Sequence, residues 1–158
     1  MSWRAVATRP AGRTSRRRTA HRDRPFLNTN FDVTLEPPDS ANRSIGFCEV
    51  ILPELHVRRP AKPAAADSDA VVPRLVLRRG FDGTPDLRNW WQDTRRRKAP
   101  RPWTVTVRLL AEDCRTVVAT WIFTGARPAS LAYSPLQARE PAVLIETIAL
   151  EFEAVELR

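Results

Sequence analysis

Two histidines and two cysteines are the residues best suited to nucleophilic or metal chemistry, and none sits in a spacing that such chemistry uses. His21 lies in a basic N-terminal stretch and His56 follows the Pro53-containing end of an apolar run. Neither has a local Ser, Cys or Asp motif of the kind that orients a base toward a nucleophile. Cys48 and Cys114 form no CxxC pair, and with two histidines they give no zinc-ligand spacing. Two cysteines make no disulfide framework. They read as two buried, inert thiols, with a single bridge between them as the alternative. The acids near the C-terminus, Glu146, Glu151, Glu153 and Glu156, could pair as general acid and base. The simpler reading is a solvated or intersubunit strand face. Glu146 stands apart because it shares parity with Leu144, Ile148 and Leu150, so it needs an arginine partner or a subunit boundary. A small enzyme would have to be centred on His56 or on these acids. The pattern assigns no catalytic, cofactor-binding or metal site, and five glycines are too few for both a phosphate-binding loop and a full set of tight turns.

The arginines carry the other chemistry. Residues 1–25 hold eight Arg, among them Arg13, Arg16, Arg17, Arg18, Arg22 and Arg24, against the single acid Asp23. That segment is therefore +7, and the chain's formal charge of +8 leaves +1 for residues 26–158. The expectation is a near-neutral domain over 26–158 carrying a basic flexible or docking arm over 1–25. Such an arm would meet phosphates in a salt-dependent way. Only Trp3 and Phe26 are at hand to stack on bases, so base recognition is not favoured. Docking on an acidic protein surface is the other use. The arm lacks the apolar stretch of a signal peptide, and no apolar run in the chain approaches the roughly 18 residues of a membrane-spanning helix. The default placement is cytoplasmic.

Several strands and one helix must position these residues. The length of 158 residues fits one domain, with 42% hydrophobic and 28% charged residues, ordinary values for a packed core. Alternation of apolar and polar residues predicts strands over 31–36, 46–55, 74–81, 103–109, 117–124 and 142–157. Between the second and third, the Ala/Pro stretch 56–72 shows no period and reads as a loop. Thr84 is a good helix N-cap and Pro85 fits the first helical position, with Leu87, Trp90 and Trp91 as the apolar face. The two tryptophans could form a binding platform, but this spacing more often marks core. Arg95 to Lys98 suit the negative end of the helix and Pro100 stops it. Pro128, Pro135 and Pro141 suggest a connecting loop over 125–141. The class is mainly β, a small barrel or sandwich of about six strands with one short flanking helix.

The order of short motifs along this body resembles the inner-tube proteins of contractile phage tails and phage-derived contractile injection systems. Gly46-Phe47 ahead of Glu49-Val50 is similar to the family's Gly-aromatic strand opening. Val76-Leu77-Arg78-Arg79-Gly80 resembles its strand end, Leu87 and Trp90 its Leu-x-x-Trp helix. Trp121-x-Phe123-x-x-Ala126-x-Pro128 is the most specific match, and Ile145-Glu146-x-Ile148-x-Leu150 with Glu153 resembles the terminal strand. The resemblance implies a structural subunit with no active site and no cofactor. It implies hexameric rings that stack into a rigid tube, with tube, sheath, baseplate or spike-hub proteins as partners and cargo in the lumen, all within a phage-tail-like particle. His56 to Pro60 departs from the acidic, aromatic segment usual after the second strand, and the basic arm is an addition. Both suit either a bulk tube subunit or a tube-initiating or adaptor ring. A nucleic-acid-binding module acting through the arm is the alternative class.

Overall fold

A computed structural model describes residues 25–56, 72–97, 99 and 101–158. The basic arm up to residue 24, most of the 56–72 stretch, Lys98 and Pro100 lie outside the described residues.

Among the described residues, eight strands and one helix follow in the order β1 (Phe31–Glu36), β2 (Arg43–Ser44), β3 (Glu49–Ile51), β4 (Leu75–Gly80), α1 (Asp86–Arg96), β5 (Trp103–Leu110), β6 (Val117–Tyr133), β7 (Ile145–Glu151) and β8 (Ala154–Leu157). Every strand pairing is antiparallel. The strand path is β2-β1-β5-β6-β7-β4-β3, with β8 on β6. Among the described residues the path has two ends, so the sheet is not closed into a barrel, and its strands share one core.

The alternation expected from the sequence decides the faces. Val33 and Leu35 of β1, Val105 and Val107 of β5, Leu75 and Leu77 of β4, and Ile148 and Leu150 of β7 are all buried. Their neighbours of opposite parity carry the threonines and, Arg79 and Glu146 apart, the charges of these strands. Phe123 and Ala126 of β6 complete the core, and Leu87 and Trp90 of α1 close over it. Trp90 stacks on Trp103 with ring centroids 4.1 Å apart, which ties the helix to the start of β5. Trp91 is half-buried, with the Arg95 guanidinium 4.7 Å above its ring.

β6 is the element that joins the two parts of the sheet. Its first half, through Ala126, pairs with β5, and Trp121 to Thr124 also pair with β8. Its second half, Arg127 to Tyr133, pairs with β7. Register shifts flank the changeover, at Trp103/Val105 opposite β6 and between Pro128 and Ser130 within it. Gly125 takes φ 71°, and a Cβ there would lie 2.6 Å from the Glu153 side chain. The left-handed backbone and the close approach both require glycine.

Five expectations are corrected. The stretch 125–141 is not all loop, because β6 continues through Pro128 to Tyr133. The single last strand is two, broken at Phe152 and Glu153. A two-residue β2 lies ahead of β3, and β3 itself is only three residues long. Thr84 does not cap α1: the cap position is Pro85, without a side-chain bond, and Thr84 instead donates its N–H and its hydroxyl to Asp82 Oδ1 at 2.9 and 2.7 Å. Cys48 and Cys114 are exposed free thiols rather than buried ones. Cys114 sits in the tight β5–β6 turn at φ 55°, and Cys48 precedes the edge strand β3, positions where the fold leaves little to cover them.

Candidate assembly interface

The sequence-predicted residues separate into three places. Arg13, Arg16, Arg17, Arg18, Arg22 and Arg24 fall outside the described residues. Gly46 and Phe47 lead into β3, with Gly46 in open space and Phe47 packed against the core. Arg79, Gly80, Trp90, Trp121, Phe123, Pro128, Glu146 and Glu153 occupy β4, α1, β6, β7 and the β7–β8 bend, and most of them meet.

Arg79 and Glu146 stand directly opposite one another on β4 and β7, and Tyr133 of β6 is the register partner of Glu146 on its other side. The side chains of Arg79 and Glu146 are 4% and 0% exposed. Arg79 Nε donates to Glu146 Oε2 at 2.8 Å, and Tyr133 Oη donates to Oε1 at 2.9 Å. A second Arg79 nitrogen donates to the Thr84 carbonyl at 3.3 Å, holding the turn that leads into α1. The buried carboxylate is thus satisfied on both oxygens, as a buried charge must be. Burial and the Glu146 carboxylate push the Tyr133 phenol above its ordinary value. The row links three strands and the helix entry; it is a structural brace. Sequence reading singled out Glu146 by parity and named Arg79, but missed Tyr133, which fell in the expected loop.

The second group sits at the β6 changeover. Glu153 fills the space beside Gly125, donates its N–H to the Thr124 carbonyl at 2.9 Å, and accepts from Arg127 at 2.8 Å. Phe123 meets Phe152 edge to face, with centroids 5.0 Å apart. Trp121 is half-buried against the same core and lies opposite Leu157 of β8. The aromatic-Pro and Glu residues of the sequence pattern therefore mark one device, the bend that carries the chain from one part of the sheet to the other.

No catalytic arrangement emerges from these residues. Among the described residues no group of three His, Cys, Asp or Glu is placed to hold a metal ion. His56 is exposed, with Glu54 3.8 Å from its ring. Several other acids pair with arginines between neighbouring strands, as Asp32 with Arg108, Glu49 with Arg78 and Glu151 with Arg74. Asp39, in the β1–β2 turn, pairs with Arg101 just ahead of β5. Among the described residues no helix is long and apolar enough to cross a membrane.

Open strand edges are what the fold offers instead. β2 and β3 end the strand path, β8 pairs with β6 alone among the described residues, and β6 beyond Ala126 has a ladder on one side only. Ile51 of β3 and Leu52 and Leu55 just after it are exposed, as is Val72 ahead of β4. Unpaired edges bordered by apolar side chains are templates for another chain.

The fold is shared with proteins of known assembly. A chain from the sheath–tube complex of an extracellular contractile injection system, PVC, in its extended state matches with a TM-score of 0.66 and 17% identity, over 86% of this chain and 93% of that one. A chain of the anti-feeding prophage baseplate matches with a TM-score of 0.63 and 21% identity, over 85% and 96%. Hcp1 from Flavobacterium johnsoniae matches at 0.52 and 11% identity, over 80% and 93%. No curated protein matches the sequence. The model of the family described as T4-like virus tail tube protein gp19 matches residues 65–156, which takes in β4, α1, the Arg79–Glu146–Tyr133 row and the β6 bend. With more than half of the chain matched and its braced strands inside the match, the chain belongs to this tail tube family and is a structural tube protein rather than an enzyme.

Proposed function

We propose that this chain closes into hexameric rings, and that the rings stack into the inner tube of a contractile injection system or phage tail. The observation that carries the reading is the unclosed sheet: its end strands are two and three residues long, with backbone groups left for a neighbour. Pairing those edges between subunits supplies the missing hydrogen bonds without extending any one chain's sheet. Repetition of one such contact around an axis closes a ring. Sheath, baseplate or spike-hub proteins are the partners of such a tube, and its place is a phage-tail-like particle assembled in the cytoplasm. The basic arm suits a ring that also meets a different protein, an initiator or adaptor as readily as a bulk layer.

Mass photometry of the purified chain tests this. The expected species has a mass about six times the 18.0 kDa chain, and negative-stain images should show annular particles. A chain that stays monomeric at high concentration overturns the proposal. The second reading, nucleic-acid binding through residues 1–25, draws on the seven net positive charges of that segment. It predicts DNA binding that falls steeply with salt and disappears when the segment is deleted.

A further inference from the structure

One face of α1 is basic and carries no acid. Leu87 and Trp90 are buried in the core. With 3.6 residues per turn, Arg88, Asn89, Gln92, Arg95 and Arg96 fall on the opposite side. Gln92 is half-buried and the other four are exposed. The acids near the helix lie elsewhere. Asp86 is paired with Arg43, Asp93 lines a cleft beside Pro38, Trp90 and Trp103, and Asp82 in the preceding turn accepts from Thr84. The ion pairs among the described residues do not include Arg88, Arg95 or Arg96. The helix dipole does not account for the row. It favours cations in the last turn, where Arg95 and Arg96 sit, and disfavours one in the first turn, where Arg88 sits. Arg95 is also held in place, with its guanidinium 4.7 Å above the Trp91 ring. A stacked guanidinium keeps its in-plane donors for an anion.

We propose that this face of α1 docks on an acidic surface of a second, different protein, with Arg88, Arg95 and Arg96 each meeting a carboxylate. The arginine fork pairs with carboxylates bidentately. From Arg88 to Arg96 the row runs about 12 Å. That length matches carboxylates spaced along one acidic helix. As a phosphate track it is short, because three contacts alone bind nucleic acid weakly at working salt. Asn89 and Gln92 add the neutral hydrogen-bonding groups that the polar rim of a protein interface uses. The surface is a helix face rather than a strand edge, so it takes no part in the seam proposed above. The docking stands without the ring; the ring reading adds only that each ring would present one such face per subunit.

The test is fluorescence anisotropy of the full-length chain with two labelled probes, a helical peptide with glutamates along one face and a DNA duplex. The variant Arg88→Gln/Arg95→Gln/Arg96→Gln is expected to bind the peptide about tenfold more weakly, with melting temperature and ring mass unchanged. Arg16→Gln/Arg17→Gln/Arg18→Gln removes the same charge from the arm and should cost the peptide far less. The reversed face, Arg88→Glu/Arg95→Glu/Arg96→Glu, should take up the same peptide with lysines in place of glutamates. Equal losses from the two Gln variants overturn the inference, as does a wild-type chain that leaves the glutamate peptide unbound. A folded reversed-face variant that ignores the lysine peptide overturns it as well. A larger loss for DNA than for the peptide in the α1 Gln variant overturns it in favour of phosphates. Loss of the wild-type ring mass in that variant overturns it by placing α1 in the seam between copies. A wild-type chain that forms no ring fails the ring reading alone, since the anisotropy reads docking on a single chain.

Discussion

At Glu146 the fold places a carboxylate where no water reaches it, and three side chains show how that is tolerated. Arg79→Met would leave that charge without its ion-pair partner, and a broken buried pair costs about 3–5 kcal/mol. Arg79→Met combined with Glu146→Leu should recover most of the loss, since apolar replacement of both partners removes the uncompensated charge. Tyr133→Phe deletes one hydrogen bond to the carboxylate and should cost about 1.5–3 kcal/mol. Urea unfolding of the four chains checks the order. Tyr133 also sets an alkaline limit. Its folded pKa is raised above its ordinary value of 10.0, so the native state holds the phenolic proton longer than the unfolded chain does. Its contribution is complete below the unfolded pKa and is lost as pH rises through the folded one. Asp113 has the opposite sign: hydrogen bonds from Thr116 and Arg115 lower it from 3.8 to about 2. Its contribution is complete above the unfolded pKa and is lost as pH falls toward 2, so Asp113→Asn should flatten the acid side of a melting-temperature profile. The brace was half legible. Glu146 betrays itself by sharing parity with Ile148 and Leu150, and Arg79 carries the same signal against Leu75 and Leu77. Tyr133 gave no such signal because its strand was not foreseen.

The element that hid it is β6. Pro128 reads as a strand breaker, yet it lies at a register shift, where the ladder is already interrupted. Beyond Ala126 the strand has a partner on one edge only, so alternate N–H groups have no strand partner to lose and proline is tolerated. The β7–β8 break at Phe152 and Glu153 answers the same bend from the other side, which is why a continuous apolar parity still yields two strands. By contrast, β1, β4 and β5 alternate cleanly against one core and appear within a residue or two of where alternation puts them. Gly125 is the point on which the bend turns. Gly125→Ala should destabilise the chain by about 1–3 kcal/mol, since it forces a side chain into a positive-φ position and against Glu153. Gly46→Ala is the control, because nothing lies within 4 Å of the added carbon; it should stay within about 0.5 kcal/mol of wild type. Thermal melts of the two variants separate a glycine required by geometry from one carried by resemblance alone. Phe123→Ala, at the fully buried centre of the same strand, should cost about 3–5 kcal/mol.

For the whole molecule the question is what the basic arm adds to a body that already balances its own charge. Residues 1–25 are +7 and residues 26–158 are +1. Within the body, arginines meet acids across strands at Asp32, Glu49, Glu146 and Glu151, and beside the β6 bend at Glu153. The ring seam proposed above is made of strand edges and apolar side chains. Neither needs the arm. Removing residues 1–24 is then expected to leave the melting temperature unchanged and to leave rings whose mass falls only by that of the deleted segments. The arm's excess charge would instead show in solution as salt-dependent affinity for an acidic partner or a nucleic acid, lost on deletion. Mass photometry and imaging of the truncated chain beside the full-length one read both effects. Rings that need the arm, or columns that stop at one or two layers only when it is present, would make the arm part of the assembly and this chain an initiating or adaptor ring.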